Sequence, residues 1–72
     1  MIRFRLQELM ADKGFKEKRV VTLVEISEAT GVHKVTLSRL ANNKIGTSTE
    51  ILNKLCNYFG CKIGDLVEHI PD

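Results

Sequence analysis

The segment from residue 23 to residue 40 constrains the fold more than any other part of the chain. It reads LVEISEATGVHKVTLSRL, and apolar or small side chains recur at helical spacing on both sides of Gly31. Glycine adopts a left-handed backbone conformation without steric cost, so Gly31 stands where the chain has to reverse. Val32 follows and is expected to fill the gap between the two runs. The segment therefore predicts two short helices packed across a tight turn.

The second run carries the functional information on its outward side. The inward sides of both runs are apolar or small, at Leu23, Ile26, Ser27, Thr30, Leu37 and Leu40. The outward side of the second run has cations, hydrogen-bonding groups and one aliphatic group but no carboxylate, at Lys34, Val35, Ser38, Arg39 and Asn42. Cations suit phosphates and guanine, serine and asparagine suit base edges or backbone, and an aliphatic group suits a thymine methyl. A solvated helix face usually mixes glutamate with lysine, whereas this outward side has no carboxylate. We therefore interpret the two predicted helices as a DNA-binding helix-turn-helix.

Longer stretches resemble the phage-repressor (Cro-like, XRE-like) helix-turn-helix family. GVHKVTLSRLANNK resembles that family's recognition helix and the following turn, where GVSxxTLSRLxNGK is common. EILNKLCNYFGCKIGDLV resembles the fourth and fifth helices, including the LCxxxGCxxxDL ending of a small stand-alone regulator branch. Ser27 stands where the family usually has alanine, and His33 where it usually has serine. The resemblance implies an all-α, five-helix lambda-repressor-like domain with its helix-turn-helix at about residues 23–41.

Candidate site residues fall into two groups. The recognition helix and the turn after it supply the candidate DNA-binding residues His33, Lys34, Val35, Thr36, Ser38, Arg39, Asn42, Asn43, Lys44 and Thr47. The segment GFKEKRVV is predicted to be a basic loop. Together with the residue that follows it, it supplies further candidates for phosphate contacts: Lys16, Lys18, Arg19 and Thr22. A solvated run of charges is the competing interpretation of this loop, and the two are held about even.

Apolar spacing predicts helices throughout, and no strand signal appears beyond the RVV of the loop. The first helix is expected from about Arg3 to Lys13, ending at Gly14, and Phe15 is a candidate to pin the loop to the core. Caps are predicted at the starts of the second and fourth helices, by Thr22 with Glu25 as a capping box and by Ser48 or Thr49. Gly60 should end the fourth helix, and a short fifth helix is predicted from the spacing of Ile63, Leu66, Val67 and Ile70.

Length and charge limit the classes of protein to which this chain can belong. The 72 residues are expected to form one small domain over residues 1–72. No apolar run approaches the roughly 20 residues that span a bilayer, and the charged start is unlike a signal peptide. We therefore expect no membrane association and a cytoplasmic protein, and the resemblance to the phage-repressor family implies a nucleoid-associated protein of bacterial or phage origin. Net charge is only +2, but residues 1–20 carry six lysines or arginines against three acids, and residues 47–72 carry two against four.

Catalysis, cofactors and metals are not expected. Ser38 has no histidine placed to activate it, and no pair of carboxylates is spaced for acid–base chemistry. Cys56 and Cys61 give a C-x4-C spacing with two isolated histidines, whereas a zinc site needs ligand pairs at short spacing. A disulfide would suit a secreted domain, and nothing in the sequence indicates secretion.

Three functions remain open at this stage. The favoured one is a sequence-specific transcriptional regulator, expected to be a repressor, that binds double-stranded DNA as a homodimer on a palindromic operator. The second is an antitoxin that binds DNA through the same helix and a toxin through its acidic C-terminal face. The third is a protein-interaction adaptor without DNA binding. For the dimer, the candidate contacts are the apolar residues near the termini, which could instead complete the core: Ile2, Phe4, Val67 and Ile70.

Overall fold

Every helix contributes to one apolar core. The computed structural model describes residues 1–44 and 46–72, and these contain strand β1 (Ile2–Phe4), helices α1 (Leu6–Glu17), α2 (Leu23–Thr30), α3 (Lys34–Ala41), α4 (Thr49–Phe59) and α5 (Ile63–Leu66), and strand β2 (Val67–His69). The core consists of eight aliphatic side chains, Leu6, Val21, Ile26, Val32, Leu37, Leu40, Leu55 and Leu66. The predicted five-helix architecture is confirmed, with two short strands added to it.

The helix-turn-helix forms as the sequence predicts. Thr22 caps α2 by accepting a hydrogen bond from the Glu25 N–H at 3.2 Å. Gly31 ends the helix at φ 79°, and its N–H donates to the Ser27 carbonyl at 2.8 Å. Val32 is only 5% exposed and fills the gap between the helices. The capping box is only half formed, because the Glu25 carboxylate bonds to Arg19 and Tyr58 rather than to the Thr22 N–H.

The predicted ends of the first helix are wrong on both sides. α1 begins at Leu6, passes through Gly14 and Phe15, and ends at Glu17, so the expected long basic loop is short. A Cβ on Gly14 would lie 2.6 Å from the Arg19 carbonyl oxygen. This glycine therefore permits the close return of the chain rather than ending the helix. Phe15 is 87% exposed and does not pin the segment to the core.

The chain termini form an antiparallel ribbon that the periodicity did not predict. β1 pairs with β2 in a register that sets Arg3 opposite Glu68 and Phe4 opposite Val67. Beyond the strands, the Arg5 N–H donates to the Leu66 carbonyl at 2.7 Å. The expected fifth helix is cut short at Leu66, and Val67 adopts extended backbone with φ −124° and ψ 136°. Pairing between residues about 65 positions apart decides this conformation, and a local spacing rule cannot detect it.

The fourth helix and its flanking turns agree with the sequence. Ser48 caps α4 by accepting from the Ile51 N–H at 3.2 Å, and Gly60 ends it at φ 64°. The Asp65 carboxylate accepts from the Lys62 N–H at 3.1 Å at the start of α5. The predicted polar turn between α3 and α4 includes Ile45, which lies outside the described residues. Among the helices described, none combines the length and apolar character needed to cross a membrane.

Candidate nucleic-acid interface

Two leucines on one side of α3 are buried, and their burial determines which side chains of the helix face outward. Leu37 is fully buried and Leu40 is 1% exposed, so the remaining positions are turned outward. Five of the predicted contact residues in this segment are exposed, namely His33, Lys34, Val35, Arg39 and Asn42, whereas Thr36 and Ser38 are half-buried. The structure therefore brings these five exposed residues together on one surface, which we call the α3 surface.

The cations of the α3 surface are not neutralised. Lys34 and Arg39 are exposed, as is Lys44 just after the helix, and none of the three forms an ion pair with the residues that the structure describes. The Lys44 N–H donates to the Arg39 carbonyl at 2.8 Å, so the chain turns back at the end of the helix and keeps these two residues close. This surface can meet phosphates or guanine edges without first breaking an internal pair.

His33 caps α3 with its ring. Its backbone is extended, with φ −60° and ψ 137°, and Nδ1 accepts a hydrogen bond from the Val35 N–H at 3.2 Å. The usual serine of the resembling family would satisfy the same N–H through its hydroxyl. Replacement of that serine by histidine has therefore kept the cap and added an exposed ring at the start of the recognition helix.

The two asparagines after α3 are each held by internal hydrogen bonds. The Asn42 amide Nδ2 donates to the Ser38 carbonyl at 2.9 Å, and its Oδ1 has no hydrogen-bond partner among the described residues. Asn43 adopts a left-handed conformation at φ 56°, and its Oδ1 accepts from the Phe4 N–H at 2.7 Å. Asn43 thus joins the turn after α3 to β1. Sequence reasoning missed this role because the two partners are 39 positions apart.

Thr47 offers less to a ligand than its hydroxyl suggests. Thr47 is half-buried, and its Oγ1 is buried with no hydrogen-bond partner among the described residues. The exposed Ser48 hydroxyl accepts the Ile51 N–H as the cap of α4, and its O–H can still donate. A phosphate contact from this segment would therefore come from backbone N–H groups or from Ser48 rather than from the Thr47 hydroxyl.

The candidates before α2 separate into free and paired cations. Lys16 and Lys18 are exposed and form no ion pair within the described part of the chain. Arg19 instead forms an ion pair with Glu17 at 2.7 Å. Its guanidinium also donates hydrogen bonds to both carboxylate oxygens of Glu25, one of them at 2.7 Å. The Thr22 hydroxyl accepts the Glu25 N–H as the α2 cap, and its O–H can still donate. Sequence reasoning treated these residues as one group, whereas their neighbours separate Arg19 from the two lysines.

A network of charges fixes the entry into the helix-turn-helix. The Arg19 guanidinium, followed by the Tyr58 hydroxyl that donates to Glu25 at 3.0 Å, lowers the pKa of the Glu25 carboxyl. Lys13 pairs with Glu17 at 2.7 Å and lies 5.0 Å from the centre of the Tyr58 ring. The network connects the end of α1, the start of α2 and the end of α4. It positions the site and does not itself present free charge.

The two cysteines are free thiols at the end of α4. Both are half-buried, and the Cys61 N–H donates to the Cys56 carbonyl at 3.1 Å. Burial, with a smaller contribution from Cys56, raises the pKa of the Cys61 thiol, which disfavours the reactive thiolate. In the two described ranges, no group of three or more His, Cys, Asp or Glu side chains is arranged to hold a metal ion.

Comparison with known proteins agrees with this geometry. A family model for the Cro/C1-type HTH DNA-binding domain matches residues 5–72. The matched range includes every residue of the α3 surface, the basic segment before α2 and the C-terminal strand. A search among curated proteins returned no match.

Proposed function

The chain belongs to the Cro/C1-type HTH DNA-binding family, and on that premise we propose that it is a repressor acting as a homodimer on a palindromic operator. Membership gives sequence-specific DNA binding and the regulation of transcription. The proposal adds the direction of regulation, the number of protomers and the symmetry of the site. In it, the α3 helix of each protomer enters one of two successive major grooves.

The α3 surface is the observation that supports this proposal. α3 is an α-helix of eight residues, and the diameter of such a helix with its side chains, about 10–12 Å, suits a major groove about 12 Å wide. Lys34 and Arg39 are available on it, Val35 is 50% exposed, and none of the exposed side chains of α3 is an acid. An adaptor that had lost DNA binding would be expected to carry acids or bulky groups there.

The terminal ribbon is the surface that we propose for dimerisation. Hydrogen bonds join the Met1–Ile70 and Arg5–Leu66 pairs. Hydrogen-bonded and non-hydrogen-bonded pairs alternate along an antiparallel ladder, so Val67 and His69 belong to non-hydrogen-bonded pairs and their carbonyls face away from β1. Backbone groups on a strand edge can pair with a second strand. Met1 and Ile2 are 54% and 51% exposed beside it. A second copy could cover both the edge and these apolar side chains.

Selection of bound duplexes from a random DNA pool tests the proposal. We expect an inverted repeat with half-site centres about 10 base pairs apart, because a two-fold dimer sets one α3 in each groove. Transcription in vitro from a promoter that contains the selected site should fall as protein is added. Enrichment of a single half-site would contradict the dimer, higher transcription would contradict repression, and absence of enrichment would contradict specific binding.

The antitoxin alternative gains no support from the acidic C-terminal segment. Glu68 pairs with Arg3 at 3.4 Å, and Asp72 pairs with the Met1 amine at 2.9 Å. Asp65 is used at the start of α5. Each of these carboxylates has a partner within the chain, so the acidity of the segment does not by itself favour a toxin-binding face. A toxin encoded in the neighbouring reading frame would revive this alternative.

A further inference from the structure

His33 presents one defined hydrogen-bond donor to the outside of the molecule. Its Nδ1 accepts the Val35 N–H, and a nitrogen that accepts a hydrogen bond carries no proton. The proton of the neutral ring is therefore on Nε2. The two nitrogens lie on opposite sides of the imidazole, so Nε2–H points away from the helix when Nδ1 faces it. The residue is exposed, and its ring has no other hydrogen bond to the described residues.

We propose that His33 is a positioning residue whose Nε2–H donates a hydrogen bond to a DNA phosphate beside the groove that α3 enters. This inference rests on the DNA-binding mode proposed above and adds an atom and a ligand group to it. The cap restricts the direction of the ring before DNA arrives, so the donor loses little freedom on binding. A serine at this position would cap the helix equally, but its O–H donor is attached to Cβ, close to the helix end, and does not extend as far outward as Nε2.

A phosphate is the partner that the position favours. His33 is the cap residue just outside α3, so it flanks the N-terminal residues of the helix, which are the ones that approach base edges. Half or more of the hydrogen bonds between proteins and DNA go to phosphate and sugar, and they fix register without carrying sequence information. His33 would then set the depth and angle of α3, while residues farther along the helix discriminate bases.

Variants that separate the cap from the donor test this inference. His33→Gly removes every side-chain donor at little cost to the start of the helix, because glycine is nearly as good an N-cap as serine or asparagine, whereas His33→Ala lacks the donor and a favourable cap. Affinity is measured at pH 8 on the duplex selected from the random pool and on a random-sequence duplex of equal length. We expect the glycine variant to melt close to the wild type and to bind both duplexes about tenfold more weakly per protomer, as expected when a hydrogen bond to a charged group is removed. The alanine variant should also melt at a lower temperature.

A second measurement locates the phosphate. Neutral methylphosphonate is substituted for each phosphate of the selected half-site in turn, and the wild type is compared with His33→Gly. One position should weaken the wild type markedly and leave the variant nearly unchanged, because the variant has no Nε2–H to donate to that phosphate.

The possible results are distinguishable. Wild-type affinity in His33→Gly, weaker binding confined to the selected duplex, or equal methylphosphonate effects in both proteins would each overturn the phosphate contact. Failure of the wild type to enrich any sequence would instead refute the proposed function, and the role of His33 with it.

Discussion

At the scale of single residues, the partners of a cation decide whether it is available to DNA. Arg19 and Arg39 look equivalent as candidates in the sequence. In the folded chain Arg19 bonds to Glu17 and Glu25, whereas Arg39 is exposed and unpaired among the described residues. The outward position of Arg39 could be predicted from helical spacing. The compensation of Arg19 depends on the side-chain geometry of a turn, which the spacing of letters does not determine.

Arg39→Ala should show whether the guanidinium contacts a base. A forked guanidinium suits guanine, and its removal should cost about 1–3 kcal/mol on the selected duplex and much less on random DNA. Lys62→Ala, which removes an exposed cation outside the α3 surface, provides a matched control and should bind both duplexes normally. Equal effects on both duplexes would assign Arg39 to the DNA backbone.

Salt dependence should separate the free cations before α2 from the paired one. A dimer that neutralises about 4–8 phosphates should give a slope of log affinity against log salt of roughly −4 to −7. Lys16→Ala combined with Lys18→Ala should reduce the magnitude of the slope by about 0.9 for each phosphate that the protein no longer neutralises. Arg19→Ala should leave the slope nearly unchanged, because its charge is already compensated. The reverse ranking would show that Arg19 leaves its carboxylates when DNA binds.

At the scale of elements, a close backbone contact keeps glycine inside α1. Replacement of an interior helical glycine by alanine ordinarily stabilises a protein by roughly 0.5–1 kcal/mol. At Gly14 the new Cβ would meet the Arg19 carbonyl at 2.6 Å, and that atom belongs to the backbone and cannot rotate away. We expect Gly14→Ala to lower the free energy of unfolding by about 1–3 kcal/mol, measured by urea denaturation. Stabilisation would mean that the turn relaxes easily.

The network around Glu25 should make part of the stability sensitive to acid. Arg19, and then Tyr58, lower the pKa of Glu25 in the folded state. A lowered carboxyl pKa contributes stability above the pKa of the unfolded chain, near 4.3, and this contribution disappears as the pH falls through the folded value. Glu25→Gln should therefore melt below the wild type at pH 7, and the difference should shrink below about pH 4. A difference that persists at pH 2 would show that the charge is not responsible.

At the scale of the whole molecule, sequence reasoning succeeded where the determinants are local. The α2–turn–α3 unit and the start and end of α4 follow from Thr22, Gly31, Ser48 and Gly60, which act on neighbours within about one helical turn. The terminal ribbon could not be predicted in this way. Val67 fits a helical stripe as well as a strand, and only its pairing with Phe4 from the opposite end of the chain decides between them.

The ribbon should also control assembly. Ile2 is 51% exposed, so Ile2→Asp removes an apolar side chain from the proposed dimer surface with little effect on the monomer core. We expect this variant to stay folded, to sediment as a monomer and to lose most of its affinity for the selected duplex. Phe15→Asp is the control, since Phe15 is 87% exposed at the far end of α1 and should leave the dimer intact. A dimeric Ile2→Asp variant would place the subunit interface elsewhere.

The hydrogen bond from the Phe4 N–H to Asn43 links affinity for the operator to the pairing of subunits. It fastens β1, the first strand of the chain, to the turn that closes the recognition helix. The proposed dimer surface and the α3 surface therefore share a backbone anchor. By thermodynamic reciprocity, DNA that holds this turn in place would favour the paired subunits to the same degree that pairing favours DNA. Substitutions selected for a new partner copy would then shift affinity for the operator as well, even where no residue touching DNA has changed.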